Sequence, residues 1–434
     1  MQKLILLFLF YSTISFGQQS KTVDFKTIEA KVEIDTVDFK VKGQVKATFT
    51  LLKSIDSVYL DAVNMNIQQA ESSSVKIRYA DKKVWFTSNF EKDKTYTAGF
   101  SYECKPQQAL YFLGFDSTLK EYPSQVWTQG QGKYTSHWLP SLDDMTDKII
   151  FDITYLAPKN YEVIANGNLK KTRSSLTQKS WTYDMEHPMS SYLVGFAMGS
   201  FRQVKTSSKN STPLQLYLET RHLDKANTSF KHNNEIFKFL ENKINISYPW
   251  QNFKQVPVRD FLYAGMENTT LNIFSEEFVV DSIGANDRSF VNVQAHELAH
   301  QWFGNLVTET SSKHHWLHEG FATYYALLAE KEIFGEDYWF FKLYKSAEEL
   351  KALSDSGKGQ VLVNTGGSSL TYYEKGAWAL VILNEIVGEE VFQKAIESYL
   401  TKYAYSNVTT VDFINEVKFH YEGDLVDFEN RWLY

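Results

Sequence analysis

At 434 residues the chain is longer than one ordinary core, and its length argues for about two to four domains. A formal charge of −7 argues against nucleic acid or an anionic membrane surface as the principal partner, and the single cysteine, Cys104, excludes an intramolecular disulfide and thiolate ligation of a metal ion. The aromatic share of 15%, with 26 Tyr and 31 Phe, favours β-rich cores.

The chain opens with a segment that does not belong to the fold. Lys3 gives a positive start, Leu4 to Phe16 is an apolar run too short to cross a bilayer, and Ser15 and Gly17 are the small residues of a cleavage site before Gln18. Residues 1–17 therefore read as a signal peptide, and the mature protein is expected in the periplasm or outside the cell. No later apolar stretch is long enough for a transmembrane helix.

From Thr27 the pattern alternates with period two. Ile28, Ala30, Val32 and Ile34 lie between charged neighbours, and Phe39, Val41, Gly43, Val45, Ala47 and Phe49 alternate with Lys40, Lys42, Gln44, Lys46 and Thr48, as in a strand with one dry face. Shorter runs follow at Ser57 to Leu60, Val75 to Tyr79, Lys83 to Phe86, Tyr96 to Tyr102, Lys148 to Ala157 and Trp181 to Tyr183. Residues 18–205 thus read as an antiparallel β domain.

A polar stretch at 205–212 suits a linker, and helical periodicity takes over beyond it. The expected helices begin near Asn227, at Glu319 to Phe334, Tyr372 to Ile386, Glu390 to Tyr405 and Val411 to Phe419, with a strand at Gln255 to Phe261. The fold class is α+β, with residues 206–434 forming a second, mainly helical domain.

Within this half stands His296-Glu297-Leu298-Ala299-His300. On a helix His296 and His300 rise from one face at the separation that two ligands of a single zinc ion require. Glu319, in Trp316-Leu317-His318-Glu319-Gly320-Phe321, offers the third ligand of a His/His/Glu set that leaves a position open for water. Glu297, directly after the first histidine, is the natural general base. Val291, Val293, Ala295, Leu298, Ala299, Trp302 and Phe303 supply an apolar surround for a buried helix, and Gly304 sits where a left-handed stop belongs.

Upstream lies Ala264-Gly265-Met266-Glu267-Asn268, after a predicted strand. With the histidine motif and Glu319, this segment resembles the aminopeptidase N-like zinc metallopeptidases, the gluzincin aminopeptidase family, and the resemblance implies a thermolysin-like catalytic domain and a single zinc ion. It makes Glu267 the anchor of the substrate's free α-amine and Gly265 a backbone contact beside the scissile bond. A fixed carboxylate in a partly dehydrated cleft pairs with an ammonium and penalises peptides that lack one. The family's first glycine is Ala264 here, which adds a methyl group beside the cleft.

Tyr372-Tyr373-Glu374-Lys375-Gly376 is similar to a family segment whose tyrosine faces the zinc, so the resemblance gives Tyr373 the developing oxyanion to stabilise. Trp127-Thr128-Gln129-Gly130-Gln131-Gly132 resembles the edge of the family's N-terminal domain that reaches the cleft, where a glutamine meets the substrate's first residue; Gln131 is the better candidate and Gln129 the weaker. The family commonly has Asp-Glu-Pro where this chain has Asp143-Asp144-Met145. His318 in place of Asn and Ala326 in place of an acid are expected to loosen the surroundings of the ligands.

The resemblance implies peptide substrates with a free N-terminus. It runs from about residue 25 to the last residue, whereas relatives usually continue past a segment like Phe428 to Tyr434 into a small β domain and a helical roof; the sequence stops there. A cleft without that roof leaves three rivals to an aminopeptidase open: a zinc endopeptidase, an epoxide hydrolase of the same fold, and a catalytically silent zinc-stabilised binding module. Whether a partner chain or oligomer covers the cleft is left open by the sequence.

Overall fold

The computed structural model describes residues 19–71, 75–115, 123–204 and 212–434, so the expected leader lies outside the described residues, as does most of the polar stretch at 205–212. The alternation of the first half becomes strands with one buried face. Val23–Asp35 and Lys40–Leu51 pair antiparallel with Ala30 opposite Val45, and their inward residues Ile28, Val32, Val41 and Ala47 are fully buried.

Around this pair an eight-stranded sheet continues through Thr95–Cys104 and Met65–Glu71 on one side and through Lys148–Pro158, Gln178–Asp184 and Asn168–Ser174 on the other, with Met189–Ser190 also pairing with Lys148–Pro158. Val23–Asp35 and Lys148–Pro158 run parallel, Ala30 opposite Ile153, in a half whose other pairings are antiparallel. The long intervening chain supplies the crossover that parallel neighbours need, and burial alternates with period two in either arrangement. A separate four-stranded sheet, Glu162–Ala165, Phe196–Gly199, Gln125–Thr128 and Leu110–Leu113 in spatial order, carries the chain into Gln129 and Gln131.

The second half is built on a five-stranded sheet in the order Phe201–Val204, Leu214–Glu219, Phe253–Val258, Leu271–Ser275, Gly265–Met266. Its first strand precedes the polar stretch and pairs with the strand that follows it, so one sheet straddles the division expected at 205/206. Val291–Ala299 packs beside the sheet's edge strand Gly265–Met266; Asn233–Ile244 and Trp316–Phe334 pack on that helix, Gly376–Val387 on Trp316–Phe334, Glu389–Lys402 on Gly376–Val387, and Thr410–His420 on Glu389–Lys402.

One helical expectation needs correcting, and one helix is unexpected. The helix placed near Asn227 is a short turn, Ala226–Ser229, and the helix proper starts at Asn233. Glu336–Asp355 is a long helix that periodicity does not announce: it buries Trp339, Leu343 and Ser346 while Phe340, Phe341 and Tyr344 face out, so no clean apolar stripe exists. Trp316–Phe334, in contrast, is buried along nearly its whole length, as expected of a central helix. Among the described residues no helix is long and apolar enough to cross a membrane.

One contiguous core runs through both halves, and polar pins cross between them. The Lys148 ammonium donates to the carbonyls of Asn305 and Leu306 at 2.8 and 3.2 Å and to the Thr308 hydroxyl at 2.6 Å, fastening the β half to the loop that follows His300. Asn166 donates to the Thr269 carbonyl at 2.6 Å, and the Gly167 N–H donates to the Thr270 hydroxyl at 2.7 Å. Replacing Lys148 with Met leaves three buried acceptors without their donor, and denaturant titration should show a loss of about 2–4 kcal/mol. Lys351→Met, on an exposed helix face, should change stability by less than about 0.5 kcal/mol.

Candidate metal centre and cleft

His296 lies in the last turn of Val291–Ala299, and His300 caps that helix. Glu319 sits in the first turn of Trp316–Phe334. The three donor atoms converge: His296 Nε2 and His300 Nε2 are 3.1 Å apart, and Glu319 Oε2 is 3.2 and 3.3 Å from them. Ligands about 2.0–2.1 Å from a tetrahedral zinc stand about 3.3 Å from one another, so this triangle fits a small divalent cation. The tautomer fits as well, because His300 Nδ1–H donates to the Phe303 carbonyl at 2.9 Å and leaves Nε2 its lone pair. Gly304, with φ +128°, turns the chain back beneath His300.

The electrostatics favour a cation too. Glu267, Glu297 and His300 form a second group of buried, mutually close donors beside the triad, so three carboxylates share one dehydrated volume. Burial lifts the Glu267 and Glu297 carboxyls above their usual range, Glu297 well above it despite the pull of His300. Burial also opposes a charge on Glu319, but His300, His296 and His315 outweigh it and hold that carboxyl well below its usual range.

Close backbone approaches set the remaining geometry. A Cβ on Gly265 would fall 2.5 Å from Glu297 Oε1, so the edge strand Gly265–Met266 lies directly against that carboxylate. A Cβ on Gly320 would fall 2.9 Å from the Gly376 Cα; the Glu319 helix and Gly376–Val387 therefore touch backbone to backbone. That crossing brings up the π-helical turn Leu370–Lys375, where the Tyr373 ring stacks on His296 at 5.5 Å with an interplanar angle of 2°. Burial, reinforced by Glu319 and Glu297, keeps the Tyr373 phenol protonated far above its usual range.

A cleft of about 370 Å³ gathers nine of the sequence-predicted residues: Gln131, Ala264, Gly265, Glu267, His296, Glu297, His300, Glu319 and Tyr373. Ala264 lies exposed, which puts its methyl group at a solvent-facing part of the cleft wall. Gln129 is not among the lining residues. It is buried beneath the turn, where its Oε1 accepts from the Gln131 N–H at 2.7 Å and its Nε2 reaches the Met266 sulfur at 3.4 Å, so it shapes the turn that presents Gln131. His318 does not loosen the ligand surroundings: burial keeps it neutral, and its Nε2 accepts from the Glu309 N–H at 2.8 Å, tying the strand Val307–Glu309 to the Glu319 helix.

Sequence reasoning missed Gln301. Its Nε2 donates to the Glu267 carbonyl and to Asn272 Oδ1, both at 3.0 Å, while its Oε1 accepts from the Thr270 N–H at 3.1 Å and the Tyr248 hydroxyl at 3.3 Å. Thr270, β-branched, is held at φ +64° in the loop after Glu267, a conformation that persists where its surroundings over-determine it. The available signal was a fully buried amide between His300 and the apolar Trp302-Phe303 pair, and it reads as polar surface until the fold is known.

The Peptidase M1 N-terminal domain matches residues 24–193 and the Peptidase family M1 domain matches residues 228–432. Aminopeptidase M1 of Arabidopsis thaliana is 26% identical over 419 residues, 89% of this chain and 47% of that protein. Glutamyl aminopeptidase of Sus scrofa is 30% identical over 290 residues, 63% of this chain and 31% of its own length. Aminopeptidase N of Rattus norvegicus is 29% identical over 309 residues, 66% of this chain and 32% of its own length. The chain belongs to the M1 peptidase family, and it spans about half or less of the length of these curated relatives.

Replacing Gln301 with Leu removes four buried hydrogen bonds around the Glu267 loop, and equilibrium unfolding should register a loss of about 2–4 kcal/mol. A loss below about 0.5 kcal/mol would mean that the loop keeps its shape without this amide.

Proposed function

We propose that the protein is an exported zinc-dependent aminopeptidase that removes the first residue of peptides with a free N-terminus. The observation that carries this reading is one cleft in which a buried carboxylate, Glu267, stands beside a three-donor metal triad. His296, His300 and Glu319 would hold one zinc ion. The chemistry such an ion supplies when bound is polarisation of the scissile carbonyl and a lowered pKa for the attacking water.

The protein's own groups divide the remaining work. Glu267 accepts hydrogen bonds from the substrate's α-ammonium, and in a buried cleft that charge-assisted pairing selects chain ends over internal bonds. Gln131 meets the first residue, and the backbone of Ala264 and Gly265 runs beside the scissile bond. Glu297 takes a proton from water at its carboxylate and passes it to the leaving nitrogen. The Tyr373 phenol, kept neutral, donates its hydrogen bond to the oxyanion that develops on the scissile carbonyl. The apolar leader at residues 1–17 supports export.

A free peptide compared with its N-acetylated twin tests the reading: the free form should be cleaved from its N-terminus, the acetylated one spared, and a chelator should stop turnover. Cleavage of both at an internal bond would establish an endopeptidase instead. Glu297→Gln should lose about 10²–10⁴-fold in kcat with zinc content unchanged, and Tyr373→Phe about 10²–10³-fold. Wild-type turnover by Glu297→Gln would remove Glu297 from the role of base.

A further inference from the structure

Next to the cleft is a second cavity of about 250 Å³ that shares Gln131 and Glu267 with it. Its wall includes Met145, Glu309 and His315. Glu309 is 1% exposed, so its carboxylate is almost wholly removed from bulk water. Its Oε1 accepts from His315 Nδ1–H at 3.1 Å, and the other ring nitrogen of His315 faces Glu319 Oε1 at 3.4 Å. Glu309 Oε2 has no hydrogen-bond partner among the described residues. A buried carboxylate oxygen left without a donor is costly, and a ligand that brings one recovers that cost.

Glu309 and Glu267 line the same cavity, and that shared wall points to the ligand's chemistry. Where an α-ammonium rests on Glu267, the side chain of the same residue branches from the adjacent carbon, and the cavity that shares Glu267 is within its reach. We propose that this cavity receives the side chain of the substrate's first residue and that Glu309 selects side chains ending in a hydrogen-bond donor, an ammonium or guanidinium foremost. The proposal rests on the aminopeptidase reading and adds the substrate class to it. Acidic first residues meet repulsion from Glu309 and Glu267 together, and aliphatic ones leave Oε2 unpaired. His315, spanning Glu309 and Glu319, holds the selecting carboxylate in place.

Zinc-loaded wild type, Glu309→Gln and Glu309→Leu, assayed on lysyl, arginyl, norleucyl and glutamyl anilides, test it. Norleucine matches the lysine stem without its charge. Wild type should favour lysyl and arginyl over norleucyl reporters by about tenfold or more in kcat/KM, with glutamyl the poorest. Glu309→Leu should erase that advantage chiefly through KM while norleucyl turnover is kept; Glu309→Gln, nearly isosteric, should narrow it in a chain of unchanged melting temperature. Equal lysyl and norleucyl rates in wild type, or a Glu309 variant that slows all reporters alike, would overturn the pocket assignment while leaving the aminopeptidase intact. A wild type that turns over none of these reporters would overturn both.

Discussion

Three donor atoms from two helices are held at mutual distances of 3.1 to 3.3 Å inside a dehydrated cleft, and the rest of the molecule answers to that constraint. Such a cluster, with the Glu267 and Glu297 carboxylates beside it, concentrates negative charge where water cannot screen it. A divalent cation held by these donors would resolve the conflict. The helices reach this separation because the Glu319 helix is backed by a glycine-to-glycine backbone contact that no larger residue permits, and the same contact sets the turn that stacks Tyr373 on His296.

The sheet side is held with equal firmness by different means. The loop carrying Glu267 has a strained Thr270, and it is gripped from two directions: by Gln301 on the segment just after the histidine helix, and by Asn166 and Gly167 from the β half. Lys148 adds further bonds between the halves just beyond His300. The β half therefore acts as a wall of the cleft, supplying Gln131 to its lining and bracing the chain on either side of the triad. Catalysis by prearranged groups needs this kind of support, since small displacements of a positioned group lose much of its effect.

The parts of this arrangement legible in the sequence are those that local spacing encodes. A spacing of four positions between histidines on a helix places two imidazoles together, and the Trp-Leu-His-Glu-Gly segment supplies a carboxylate at a helix start. Glu267, Gln131 and Tyr373 came through resemblance in short motifs, and all three line the cleft. What stayed hidden depends on contacts between distant segments. Gln301, Glu309 and His315 look like ordinary polar positions, because nothing in their neighbours announces that each is enclosed by other parts of the chain. The parallel pairing of the first strand is invisible for another reason, since its alternation is the same whichever way its neighbour runs. The helix Glu336–Asp355 escaped because its apolar residues point both inward and outward.

The central claim is that His296, His300 and Glu319 together hold one zinc ion. X-ray absorption at the zinc edge, combined with metal stoichiometry on the wild type and on Glu319→Ala, tests this most directly. The account predicts one zinc per chain in a shell of nitrogen and oxygen ligands at about 2.0–2.1 Å with no sulfur, and loss of that shell in the variant. Zinc bound identically by both proteins, or no zinc retained by the wild type, would contradict it.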